Sequence, residues 1–86
     1  MHEMSLAMEI CRIAEQAAGT ARARHVREVA VEVGQDANVE PGSLAFCLEV
    51  LLAQPPFGRA RPRLTHPPGD VLRVTHLEVE DGGPDD

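Results

Sequence analysis

The feature that most restricts what this sequence can fold into is a change of hydrophobic period within its first half, from helical to strand-like and back. From Ser5 to Ala18, the residues Leu6, Ile10, Ile13, Ala14 and Ala17 recur at helical spacing, with Glu9, Arg12, Glu15 and Gln16 opposite them. Gly19-Thr20 is a stop for that helix. From His25 to Val33 the period falls to two. Val29, Val31 and Val33 alternate with Ala30 and Glu32, the pattern of a half-buried strand. A polar loop spans Gly34 to Val39. Pro41 then suits the first turn of a second helix, where its missing N–H costs nothing. Leu44, Cys47, Leu48 and Leu51 form the apolar stripe of that helix. Gln54-Pro55-Pro56 ends it, because the proline ring disfavours helix at the residue before it.

The remainder predicts a hairpin. Ala60 to Thr65 reads as a strand weakened by Pro62, which suggests an edge position. His66 to Asp70 is dense in turn formers, and Val71 to Glu80 is a second strand. Its apolar parity changes between Leu72/Val74 and Leu77/Val79, which predicts a bulge or burial on both faces. In such a hairpin His66 would sit near Val71 and His76 near Arg61. The order is α-β-α-β-β, and the expected fold is α+β, two helices packed on a three-stranded sheet. Asp81 to Asp86 is an acidic, Gly/Pro-containing tail expected to be disordered.

Composition narrows the function. Hydrophobic residues are 43% of the 86 but aromatics only 2%, so the core must come from Val, Leu, Ile and Ala. That suffices for two layers and is too little for a deep, side-chain-walled substrate pocket. A net charge of -6 argues against nucleic acid or an anionic membrane as the main partner. No Ser/His/Asp arrangement, Gly-rich phosphate loop or paired buried carboxylates stands out, so an enzyme is not expected. Cys11 and Cys47 belong to no CxxC pair and read as reduced thiols on helix faces. Glu3, Glu9 and Arg12 interrupt any N-terminal apolar run, which leaves no signal peptide and suggests a cytoplasmic protein. The alternating Arg59, Arg61 and Arg63 read as a solvated strand face or as a dock for an acidic partner.

The chemistry concentrates at Met1-His2-Glu3. A methionine followed by a histidine should escape removal, since initiator processing needs a small second residue. The Met1 α-amine, the His2 backbone nitrogen and the His2 imidazole can then close two fused chelate rings around one ion. An all-nitrogen, near-planar donor set favours Ni(II) or Cu(II) over Zn(II), which prefers tetrahedral sites. A histidine at position 2 is also commonly no more than a solvated side chain, so spacing alone leaves both readings open.

Met1-His2-Glu3-Met4-Ser5-Leu6-Ala7 resembles the MHExS(L/V) opening of the HypA/HybF family of nickel metallochaperones. Val31-Glu32-Val33-Gly34, then Val39-Glu40-Pro41 with Ser43-Leu44 and Phe46, then Val71-Leu72-Arg73-Val74 and Leu77-Glu78-Val79-Glu80, are similar in order to the family's later segments. The resemblance implies a role in assembling the nickel centre of [NiFe]-hydrogenase, and in some bacteria urease. It implies Ni(II) held by the Met1 amine and the His2 backbone and side chain, with Glu3 assisting. It also implies a HypB-type GTPase and the hydrogenase large subunit as partners. The weak Ala60 to Thr65 edge strand is itself open to pairing between two copies. Glu40 falls where some members of the family carry an acidic residue near the metal; it also reads simply as a carboxylate favoured at a helix start.

One departure is large. The family places a zinc domain with two CxxC pairs between its second and third strands, and here only His66 to Asp70 stands there. Residues 1–80 are therefore expected to form a nickel-binding domain in which a short turn near 66–70 replaces the zinc domain, with 81–86 as the tail. No zinc is expected, because His25, His66, His76 and the two cysteines lack usable spacing. The alternative is a metal-free interaction module or paralogue within the hydrogenase maturation machinery.

Overall fold

A computed structural model of the chain describes residues 3–80. The first helix, α1, spans Glu3–Ala18, and the second, α2, spans Pro41–Leu52. Between them lie a short 3₁₀ helix, Thr20–His25, and the first strand, β1, Val26–Val33. Strands β2, Arg61–Thr65, and β3, Leu72–Val79, complete an α+β fold of two helices on a three-stranded sheet.

Each boundary has a local cause. Gly19 stands at φ 87, a left-handed conformation that costs glycine nothing, and its N–H closes α1 on the Glu15 carbonyl at 2.8 Å. Pro41 opens α2, and the carboxylate of Glu40 accepts the Ser43 N–H at 2.7 Å, satisfying a donor that the first turn leaves without a partner.

The sheet corrects the expected hairpin. Its order is β2-β1-β3, with β2 parallel and β3 antiparallel to β1, so β2 and β3 never pair. His76 lies opposite Ala30 and Arg61 opposite Glu28, rather than near one another as a hairpin requires. The reason is burial. Val26, Val29, Ala30, Val31 and Val33 are all buried, whereas every other β2 residue is exposed and β3 has none fully buried. The strand that can be covered on both sides takes the centre. Helix α2 serves as the crossover that parallel strands need, and Pro62, lacking an N–H, lies on an edge as expected.

The link after β2 therefore crosses the end of β1 instead of turning back on itself. Backbone N–H groups of Gly34, Gln35 and Asp36 donate to the carbonyls of Val71, Pro67 and Gly69 at 2.6, 2.8 and 2.7 Å. The Gln35 amide donates to the His66 carbonyl at 3.1 Å, and His66 Nδ1 lies 3.2 Å from the Val33 carbonyl oxygen.

The change of parity in β3 is a bulge. Ala30 pairs with His76 and Val31 with Val74, leaving Thr75 as the extra residue, its hydroxyl 3.3 Å from the Ala30 carbonyl. That one residue lets Leu72, Val74, Leu77 and Val79 all pack against the core. The opposite face of the sheet carries ion pairs, Arg73–Glu32 at 2.8 Å and Arg63–Glu28 at 3.7 Å. Arg63 is exposed on this face.

The core joins Ala7, Ile10 and Ala14 of α1 to Leu44, Leu48 and Leu52 of α2 and the valines of β1. This shifts the expected α1 stripe. Ile13 is 39% exposed and Ala17 is exposed, while Ala7, outside that stripe, is fully buried. Alanines at 7 and 14 let the helix backbone approach its neighbours closely, and the bulkier Ile13 falls on the outer side. No helix among the described residues is long and apolar enough to cross a membrane.

Candidate metal centre at the head of the first helix

Of the three residues singled out at the start of the chain, Met1 and His2 lie outside the described residues. Glu3 is the first residue of α1 and is half-buried. Its Oε2 accepts the backbone N–H of Glu40 at 3.2 Å. The head of α1 is thereby tied to the head of α2, and the two helices run with their N-termini together.

This arrangement sets the local electrostatics. Helix N-termini carry partial positive charge, which by itself repels a cation. Two carboxylates offset it here. Glu40 holds its pKa below the usual carboxylate range, chiefly because the Ser43 N–H donates to it, with a smaller backbone contribution from Gly42. Its oxygen is committed to capping, so the helix-start reading of Glu40 describes what the side chain does. Glu3 is the carboxylate nearest in sequence to the Met1 amine and the His2 imidazole, and one of its oxygens accepts the Glu40 N–H. Sequence periodicity does not reveal the Glu3–Glu40 contact, which joins residues far apart in the chain. Its only trace is the Glu-Pro-x-Ser pattern that marks 40 as a cap.

The cap carries a pH signature. Because the folded pKa of Glu40 is depressed, its contribution to stability is present above the unfolded carboxylate value of 4.5 and is lost as pH falls through the lower folded value. Glu40→Ala is therefore expected to lower the melting temperature near neutral pH. The gap to the parent chain should shrink as pH falls below 4.5, and thermal scans across that range check it. A gap that is constant with pH would remove the carboxylate from the account.

Elsewhere the titratable groups are dispersed. Among the described residues no three His, Cys, Asp or Glu side chains converge to hold a metal. Burial pushes the Cys11 thiol up to about 11, the wrong direction for a thiolate ligand. His66 is engaged with the end of β1, and the ring nitrogen Nδ1 of His76 lies 3.4 Å from the Thr75 hydroxyl. Cys11, His66 and His76 are thus not gathered into a common metal site among the described residues.

The model of a family described as hydrogenase/urease nickel incorporation, metallochaperone, hypA, matches residues 1–78. The chain belongs to the HypA family. HypA proteins are metallochaperones, not enzymes. A hydrogenase maturation factor HypA from Azoarcus is 48% identical over 52 residues, covering 60% of this chain and 46% of the relative. One from Albidiferax ferrireducens is 35% identical over 79 residues, covering 92% of this chain and 70% of the relative. A solution structure of the nickel metallochaperone HypA from Helicobacter pylori is similar with a TM-score of 0.66 at 12% identity, covering 95% of this chain and 89% of that one. At that identity the likeness speaks for the fold. The chain spans about half the length of several curated HypA relatives it matches.

Proposed function

We propose that this chain carries Ni(II) for the maturation of [NiFe]-hydrogenase, holding it through the Met1 amine, the His2 backbone nitrogen and the His2 imidazole. Glu3 stands beside that donor set as a fourth ligand or as its anchor. The ion is cargo, handed on with a HypB-type GTPase toward the hydrogenase large subunit. Residues 1–80 form the nickel-binding domain, and no zinc is needed for it to fold. The observation that carries the reading is the Met1-His2-Glu3 start in a chain that matches the HypA family from residue 1, with Glu3 held by the Glu40 N–H.

A carrier must release its ion as well as capture it, so a docked partner has to be able to complete or dismantle the chelate. The proposal turns on the free amine. Adding residues before Met1 moves the amine out of reach while leaving His2 and the fold untouched. Calorimetry is expected to show one Ni(II) per chain for the parent and no comparable site in the extended chain. Equal binding by both would place the nickel elsewhere and end the proposal.

A further inference from the structure

We propose that the outer face of the helix layer is a docking surface for a cationic amphipathic helix of a partner protein. The inference is read from exposure and charge, and it stands whether or not the nickel assignment does.

The face is apolar where water should find polar groups. Met4 and Met8 stand one turn apart on α1 and are 41% and 58% exposed. Phe46 and Val50 stand one turn apart on α2 and are 64% and 40% exposed. Residues four apart lie on one side of a helix, so each pair makes an apolar ridge. Beside Met8 a cleft of about 250 Å³ lies between α1 and the end of α2 with the Gln54 to Phe57 segment that follows it, with Cys11 and Leu51 also among its walls. Large apolar side chains grouped at the surface mark interaction sites, and methionine, flexible and polarizable, adapts to varied partners.

Charge decides the occupant. The two helices and the cap carry Glu3, Glu9, Glu15, Glu40 and Glu49 against a single base, Arg12. Arg12 is itself paired with Glu9, its Nε 3.0 Å from the carboxylate. Every other arginine lies in the 3₁₀ helix, the strands or their connections. An apolar seam in an acidic layer repels anionic lipid, an acidic peptide and a second copy of itself. It suits a helix whose leucine-like anchors recur every three to four residues and whose flanks are Lys and Arg. Met4 adjoins Glu3, so a helix seated here also reaches the head of α1.

The test uses the full chain without nickel and a labelled Leu/Lys amphipathic peptide of about 16 residues, roughly 24 Å long as a helix. Fluorescence polarisation is expected to show binding that weakens with salt. A peptide of the same composition, scrambled to lose its helical period, should bind about tenfold or more weakly, a difference of about 1.4 kcal/mol. The double variant Met8→Ser/Phe46→Ser should lose about as much, whereas Arg61→Ser/Arg63→Ser, on the sheet, should bind like the parent. Both substitutions in the first pair are at exposed positions, and circular dichroism confirms that the variant folds. Equal binding of the scrambled peptide, or of a Leu/Glu peptide, would overturn the proposal, as would an unaffected double variant. Self-association that Phe46→Ser abolishes would assign the face to a second copy and overturn it too.

Discussion

His2→Ala is expected to abolish stoichiometric nickel binding. The alanine keeps the backbone nitrogen and the Met1 amine but removes the imidazole, and with it the second chelate ring. What remains is one ring from an amine and a peptide nitrogen, and a peptide nitrogen is metallated only when flanking donors hold the ion in place. The loss should therefore approach the whole affinity rather than a third of it. The parent site should also strengthen with pH, because the ion displaces protons from an α-amine and an imidazole, groups whose ordinary pKa values lie near ~7.7–8.0 and ~6.5. Calorimetry in buffers of different ionisation enthalpy measures the protons released. Cu(II) should bind at least as tightly as Ni(II), since its place in the Irving–Williams order is higher. Nickel binding by His2→Ala at parental affinity would sink the chelate.

Gly34→Ala is expected to be the most damaging small substitution in the sheet. A Cβ at this position would collide with the carbonyl oxygen of Gly69 and stand 2.8 Å from the Val71 nitrogen. Both are backbone atoms, so no side chain can swing aside. The same place is crossed by the hydrogen bonds from Gly34, Gln35 and Asp36 to Val71, Pro67 and Gly69, which tie the 66–71 link to the end of β1. Relieving the clash means lengthening those bonds. Overpacking of this kind costs about 1–3 kcal/mol, and each kcal/mol lowers the melting temperature of a domain this size by roughly 4–8 °C. Urea or thermal unfolding measures it. An unchanged midpoint would mean that the link can shift without loss, and that the close approach at Gly34 does not hold β3 in place.

The two predictions draw on different levels of the molecule. The proposed chelate is drawn from the first residues and their family resemblance, because its donors are consecutive and need no fold to bring them together. The clash at Gly34 is not legible there, because Gly34 and Gly69 meet only through the path of the link across the sheet. The α1 stripe shows the same division on a smaller scale. Periodicity finds the helix but favours Ile13 over Ala7, since it weighs hydrophobicity and cannot weigh how closely a backbone must approach its neighbour.

By itself, the sequence determined the order of the two helices and three strands, the stop at Gly19, the helix start at Pro41, the irregularity in β3 (as a bulge or as burial on both faces), the edge position of Pro62 and the family. Each of these rests on neighbours within a few residues, where steric preference and hydrophobic period act directly. Only the tertiary structure decided which strand lies at the centre. The turn-rich run from His66 to Asp70 suits a hairpin equally well, and local chemistry does not distinguish it from a crossing. The choice falls to burial. β1 is the strand whose residues are covered almost throughout, and placing it between β2 and β3 leaves the charged sides of both at the edges. The same long-range packing brings Glu3 to the Glu40 N–H, joining two helix heads that the sequence holds far apart.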